Sequence, residues 1–508
     1  MLGPSHLWNS NGGPAGATVA SRLAKTPKAP SVLLLEAGGP NADIEHRTLA
    51  DRRLERHQLR LLDVWLQRAD FDEWARLVED DAFNYENARC RYDKIENYDL
   101  NIDGSNQRYA KPSAKGHGTA GPVPVQFAPV WEDGAHDILD AAGECGIGMN
   151  ADLNSEDLLG MGMCPSTAHT GTRATAASAF LQDVPFNLTI ITDAPATKIL
   201  FEGKKAVGVE AGGKNYTVTK EIIISAGAIE TPKLLLLSGV GPNADLATHG
   251  IPLVHDLSGV GRNLQDHVVL GMAVQQRPGV VGPSIMNGDS ALLAAAREQF
   301  RKDKTGALVN TNAGILMGWQ HLARETVPTY EIMAACPPST ALADPQHTYL
   351  TVVVALMVPQ SCGTVTLASA NPVDPPLCDP RFLSDPFDRA NMVAAVRRAM
   401  RLYTHPSLAK DLEAPLTLPK SDGDADIWAY VQQHAGSEWH MSSTAKMGRK
   451  GDEMACVDSA FRVMGVQGLR VVDMSVAPFV PNCHTVAVAY QIGEAAAERL
   501  VSGYGLEG

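Results

Sequence analysis

Asn11-Gly12-Gly13-Pro14-Ala15-Gly16 is a G-x-G-x-x-G pattern with its first glycine replaced by asparagine. Glycines at this spacing permit a tight turn and let a pyrophosphate approach the backbone at the positive end of the following helix. Glu36 lies 20 residues beyond Gly16, at the end of an apolar run. A carboxylate there can accept hydrogen bonds from both hydroxyls of a ribose. Alone, the glycines describe a Gly-rich loop equally well. The acid at this distance, with an apolar run before it, makes dinucleotide binding the better reading.

Other chemistry-bearing residues are scattered. Eight cysteines stand at 90, 145, 164, 336, 362, 378, 456 and 483, with no Cys-x-x-Cys pair. Neither a zinc site nor a thiol–disulfide motif is supported, and no metal site is expected. They are too sparse for a disulfide scaffold and read as buried free thiols. Any one of the fifteen histidines, taken alone, is more often structural or exposed than catalytic.

The elements that would position a dinucleotide are legible in part. Ala15 to Lys25 carries small and apolar residues at helical spacing, and Val32 to Leu35 is an apolar run ending in Glu36. Helix followed by buried strand is the grammar of a doubly wound α/β sheet. Ile222-Ile223-Ile224 enters a glycine turn at Gly227 and leads to the apolar segment Leu234 to Leu237. Leu469 to Asp473 reads as another buried strand, and Thr485 to Leu500 as a closing helix. Long mixed stretches separate these signals, so one nucleotide domain is assembled from discontinuous segments with a second domain inserted. Pro375-Pro376 and Pro415 to Asp426 read as surface loops. One expected part is missing. Met1 to Ser10 is interrupted by Gly3, Pro4, His6, Asn9 and Ser10, so no buried strand is expected before the glycines. The chain reads as starting late or beginning with an incorrect exon.

A chain of 508 residues suggests two domains. Net charge of −14, without a long Lys/Arg cluster, argues against nucleic acid and anionic membrane surfaces. No apolar run is long enough for a membrane span. No signal peptide is visible, and the sequons at Asn187 and Asn215 permit secretion without arguing for it, so localisation stays open.

Gly227-Ala228-Ile229-Glu230-Thr231-Pro232-Lys233-Leu234-Leu235-Leu236-Leu237-Ser238-Gly239-Val240-Gly241 resembles the second signature of the glucose–methanol–choline (GMC) oxidoreductases at every specified position. Its helix is expected to start at Thr231-Pro232. The resemblance continues through Val260 to His267 and Val466 to Asp473. It implies FAD as cofactor and an inserted α+β substrate domain built on a large antiparallel sheet. Gly13, Gly16 and Glu36 would hold the ADP half, Asp473 would lie near the phosphates or ribityl chain, and Asn263 would belong to a loop over the cofactor. The boundaries that follow are 1–40, 190–266 and 430–508 for the FAD domain, with 68–189 and 267–429 for the substrate domain and cap.

Residues 41–67 depart from the family. A Gly-Gly-Ser-Ser-x-x-Asn loop is expected just before Ala69 to Ala75, and Arg52-Arg53-Leu54-Glu55-Arg56-His57-Gln58-Leu59 stands in its place. Codons for these residues, shifted by one base, spell Gly-Gly-Ser-Ser-Ala-Thr-Asn-Phe. A frameshift or splice error is the expectation, and a diverged basic helix the alternative. Ser361-Cys362-Gly363 also departs from the family's Ser-Arg-Gly.

Trp439 to Gly448 and Pro478 to Thr485 resemble the family's active-site segments, in the two-histidine form of its aryl-alcohol oxidase branch. The resemblance implies His440 as base and His484 as the partner that orients the hydroxyl and stabilises developing alkoxide. An imidazole titrates near neutral pH and suits the proton step, while the flavin takes the hydride. His267 receives no catalytic role. The expected reaction is oxidation of a primary alcohol, aromatic or allylic, with oxygen or a quinone as acceptor. The alternatives are a non-redox cyclase or lyase on the same scaffold, or an inactive product of a faulty gene.

Overall fold

The computed structural model describes residues 5–10 (backbone), 13–39, 67–102, 104–131, 133–155, 158–169, 172–280, 290–309, 315–321, 327–335, 344 and 347–507. Asn11, Gly12 and the segment 40–66, which includes Arg52 to Leu59, lie outside them.

A seven-stranded sheet draws its members from three distant parts of the chain. They are β1 (Ser5–Ser10), β2 (Val32–Leu35), β3 (Leu188–Ile191), β4 (Ala196–Glu202), β5 (Lys205–Ala211), β6 (Lys214–Ile224) and β13 (Leu469–Val471). Their order is β3-β2-β1-β6-β5-β4, with β13 also on β6. Pairing is parallel from β3 to β6 and on to β13, and antiparallel through β5 and β4. β2 is buried throughout, as a parallel strand covered on both faces must be.

Here the expectation for the N-terminus is corrected. Ser5–Ser10 forms a strand, central in the sheet, with Leu7 to Ser10 paired to Val32 to Leu35 on one side and Ser10 opposite Ile224 on the other. Two flanking strands offer a full set of backbone partners, and that outweighs a weak local strand preference.

Helix α1 (Pro14–Ala24) follows β1 and packs on the closing helix α6 (Thr485–Gly503). Gly493 makes the close approach possible, because a Cβ there would lie 2.7 Å from the Ala15 carbonyl oxygen and 2.8 Å from Thr18 Cβ. Arg470 on β13 is buried and paired with Glu221 at 2.6 Å through Nε, so the charge inside the sheet is compensated.

Helix α4 (Gly227–Leu237) departs from its expected start, since Pro232 sits inside it. A proline there has no N–H for the carbonyl four residues back, that of Ala228. The Thr444 hydroxyl donates to that carbonyl at 2.7 Å, which ties α4 to the segment following His440.

The second sheet is six-stranded and wholly antiparallel. Its strands are β7 (Val268–Gln276), β8 (Leu316–Gln320), β9 (Tyr330–Ala335), β10 (Tyr349–Leu356), β11 (Leu412–Thr417) and β12 (Gly436–Ser437). The order is β8-β9-β10-β7-β11, with β12 also on β7. Pro415 therefore lies in a strand rather than a loop, on the edge position where a missing N–H is harmless. Helix α5 (Pro386–Thr404) covers one face of this sheet, and α2 (Arg68–Val78) and α3 (Ala135–Glu144) lie earlier in the chain. One hydrophobic core runs from Leu34 in the first sheet to Val352 in the second. Cys90 and Cys378 are exposed free thiols, contrary to the buried expectation, whereas Cys164, Cys456 and Cys483 are buried.

Candidate active site

His440 sits on a short strap, 438–442, that runs beside 265–267. Gln265 and Ser442 exchange backbone hydrogen bonds, and the Glu438 N–H donates to the His267 carbonyl at 3.1 Å. The Asp266 carboxylate accepts from the His440 N–H at 2.8 Å and from the Ser437 hydroxyl. Trp439 (φ 65°) and Ser443 (φ 73°) flank the strap in the left-handed region. Each such residue costs about 1–3 kcal/mol and persists only where surrounding contacts enforce it. Asp266 and Gln265 are those contacts.

His484 is the N-cap residue of α6. The loop leading to it is held at each step. Val480 N–H donates to the Gln265 side-chain oxygen at 2.9 Å, Asn482 N–H to Asp70 at 2.5 Å, and the Asn482 amide to the Pro328 carbonyl at 2.6 Å. Burial pushes Asp70 up to about 7 against the opposing hydrogen bond from Asn482.

The fold brings the two predicted histidines together. Their rings stand edge to face at 86°, with centroids 4.8 Å apart, and both are buried. His484 Nε2 lies 3.3 Å from the Glu331 carboxylate. A third imidazole joins them. His267 Nδ1 is 2.9 Å from His440 Nδ1, so one of these nitrogens donates and the other accepts. Burial, reinforced by the nearby His484 charge, pushes His267 down to about 3, so it is neutral at ordinary pH. Glu438 is buried with its carboxylate 3.9 Å from His440 Nδ1. Burial first, then the charges of Glu331 and Asp266, hold its carboxyl well above the usual range, which favours its neutral form.

His267, Glu438 and His440 place ligand-type atoms within 4.8 Å of one another, as do Glu331, Glu438 and His484. The His267 and His440 Nδ1 atoms already bond each other, so the cluster reads as an acid–base network.

The predicted nucleotide residues gather at the carboxyl ends of the parallel strands, where ligands of open α/β sheets bind. Gly13 caps α1 with no capping side chain and no acid in the first turn, and a Cβ on it would meet nothing within 4 Å. This open, positive helix end fits a diphosphate. Gly16 is buried within α1, and Glu36 follows β2, accepting from the Gly38 N–H at 2.7 Å. Asp473 is a buried junction: its carboxylate accepts from the Gly227 N–H, the Thr231 hydroxyl and the Ser475 N–H. Asn263, at φ 59°, donates to the Pro478 carbonyl at 3.2 Å and so touches the loop that carries His484.

Sequence reasoning passed over Asp70, Gln265, Asp266, His267, Glu331 and Glu438. The first four lie in motifs that were visible but had no assigned role. Glu331 left a fainter signal, as a carboxylate inside the apolar strand β9.

A parallel nucleotide-binding sheet, joined to an antiparallel sheet with buried imidazoles between them, defines a dinucleotide-dependent oxidoreductase. Residues 66–269 and 359–493 match the N- and C-terminal models of GMC oxidoreductase. The chain belongs to this family. It is 35% identical over 410 residues to the alcohol dehydrogenase [acceptor] of Pseudomonas putida, covering 78% of this chain and 73% of that one. It is 31% identical over 473 residues to patulin synthase of Aspergillus clavatus, covering 84% and 74%. Its fold matches formate oxidase of Aspergillus oryzae with a TM-score of 0.85 over 99% of both chains, at 23% identity. The protein is an FAD-dependent oxidoreductase acting on CH–OH groups. Among the described residues, no helix is long and apolar enough to cross a membrane.

Proposed function

We propose that the chain oxidises a primary alcohol, aromatic or allylic, to its aldehyde, and passes the electrons to oxygen or a quinone. The observation that carries this reading is the buried, edge-to-face pair His440 and His484. Bound FAD supplies the hydride acceptor, at flavin N5. The proton is the chain's task. His440 takes it from the hydroxyl, with its ring held through Nδ1 by His267. His267 stays neutral and acts as an anchor for that ring. His484 orients the hydroxyl, with Glu331 fixing its ring. At the start of a 19-residue helix, His484 also stands where the helix dipole favours a developing alkoxide. Gly13, Gly16 and Glu36 would hold the ADP half of FAD, with Asp473 and Asn263 shaping the inner end of its cleft. An aromatic substrate is supported by Trp319, fully buried and edge-on to His484 at 6.4 Å, and by the resemblance to aryl-alcohol oxidases.

Anaerobic mixing of the purified holoprotein with benzyl alcohol tests the reading. Bleaching of the flavin band near ~450 nm, with benzaldehyde formed, is the expected result. Conversion without bleaching would indicate cyclase or lyase chemistry. Protein that takes up no flavin would point to an inactive gene product.

A further inference from the structure

On the far side of the antiparallel sheet from the histidines lies a cavity of about 560 Å³. Successive strand residues face opposite sides, so Glu331 on β9 reaches His484 while its neighbour Tyr330 lines this cavity. The remaining wall is the flank of α5 with Arg397, Arg398 and Arg401, and the apolar side chains of Ile147, Leu159 and Ala394.

Gln320 and His321 complete the polar lining, and the three arginines are unevenly satisfied. Arg397 is satisfied by the Asp424 carboxylate and the Asp422 carbonyl. Arg398 uses one terminal nitrogen on the Gly146 carbonyl at 2.6 Å, but its Nε is buried with no partner. Arg401 is exposed and pairs with no carboxylate among the described residues. Tyr330 is 3% exposed as a residue and lines the cavity. Burial pushes this phenol up, while Arg398 and Arg401 pull it the other way, which places both guanidinium charges near it. No carboxylate stands among the described lining residues, in a chain whose net charge is −14. A buried donor without an acceptor, as at Arg398 Nε, is uncommon in folded proteins, and guanidinium can only donate. An anionic acceptor would complement it and the Arg401 charge beside it. Ile147, Leu159 and Ala394 favour one with a hydrocarbon body, and the volume suits a small molecule.

We propose that this cavity is a second binding site for a small organic carboxylate with an aromatic or branched apolar body. Its carboxylate pairs with Arg398 and Arg401 and accepts from the Tyr330 hydroxyl. The site is separate from the histidine pair and does not depend on the proposed oxidation.

The test is titration of the holoenzyme with 4-fluorobenzoate, followed by ¹⁹F NMR and by the flavin absorbance. Saturable binding that leaves the flavin spectrum unchanged is expected. R401M, at an exposed position, and the near-isosteric Y330F should each weaken it about tenfold, as loss of a charge-assisted or buried hydrogen bond does. H440A should leave it intact. Inorganic phosphate should compete poorly, since it gains nothing from the apolar wall. No saturable binding, or binding insensitive to both R401M and Y330F, overturns the proposal. So does binding that perturbs the flavin and is lost in H440A, because the probe would then lie in the histidine site. Phosphate binding as tightly as the benzoate would overturn the assignment of an apolar body.

Discussion

His440 and Glu438 lie two residues apart on one strap, and the proposed reaction gives the proton to the imidazole. Replacing it with alanine should lower the rate of anaerobic flavin reduction by about 10²–10⁴-fold, the range for loss of a general base, as measured by stopped-flow absorbance. Glu438 leads to a subtler expectation. Burial raises its carboxyl well above the usual range, so E438Q, a neutral group of the same shape, imitates the form that the site favours. Flavin reduction at pH 7 should stay within about threefold of the parent, or ~0.7 kcal/mol. The folded-state value is raised, so Glu438 adds stability in acid that is lost as pH climbs through that value. E438Q should flatten the alkaline fall in stability, and thermal melts across pH would show it. An E438Q enzyme crippled at pH 7 would mean that an ionised carboxylate is needed.

At the scale of elements, two contacts carry testable weight. Asp70 at the third position of α2 holds the loop before His484, and its pKa is raised to about 7. Its neutral form is therefore the folded form. The contribution is full below about pH 4 and declines as pH rises to about 7. D70N should make stability less sensitive to pH between about 4 and about 7 in denaturant titrations; an unchanged pH dependence would contradict the assignment. The α1–α6 contact is the second. G493A gains about 1 kcal/mol of helix propensity, but its methyl would overlap the Ala15 carbonyl and Thr18. Overpacking of this kind costs about 1–3 kcal/mol, so the packing effect should win. A lower urea midpoint, with weaker FAD retention because α1 carries Gly13, is the expected outcome.

Across the whole molecule, the cleft proposed for FAD is shared by pieces far apart in sequence. Gly13, Glu36, Gly227 and Asp473 all stand at the carboxyl ends of β1, β2, β6 and β13. A ligand that binds only when these strands are assembled stabilises the fold by mass action, by about 2.7 kcal/mol at a hundredfold excess over Kd. Added FAD should raise the melting temperature of the flavin-free protein in a concentration-dependent way. An unchanged melting temperature in saturating FAD would mean that the chain as written does not hold the cofactor.

How much of this was legible beforehand differs by kind of evidence. Short-range signals sufficed for α1, β2 and α6, because apolar periodicity acts within a few residues. The signature at Gly227 to Gly241 and the two histidine segments sufficed for the family, and they named the two imidazoles that the fold brings within 4.8 Å of each other. Three things needed the folded chain. β1 forms from a poor strand sequence, because its partners supply the backbone bonds. Pro232 is tolerated inside a helix because Thr444, 212 residues later, takes the carbonyl it frees. His267 came within hydrogen-bond distance of His440 only when two segments 173 residues apart were laid side by side. Local pattern determines which elements form and what chemistry they carry. Tertiary structure decides which charges are buried together, because burial and a neighbour's field exist only after the chain has closed around them.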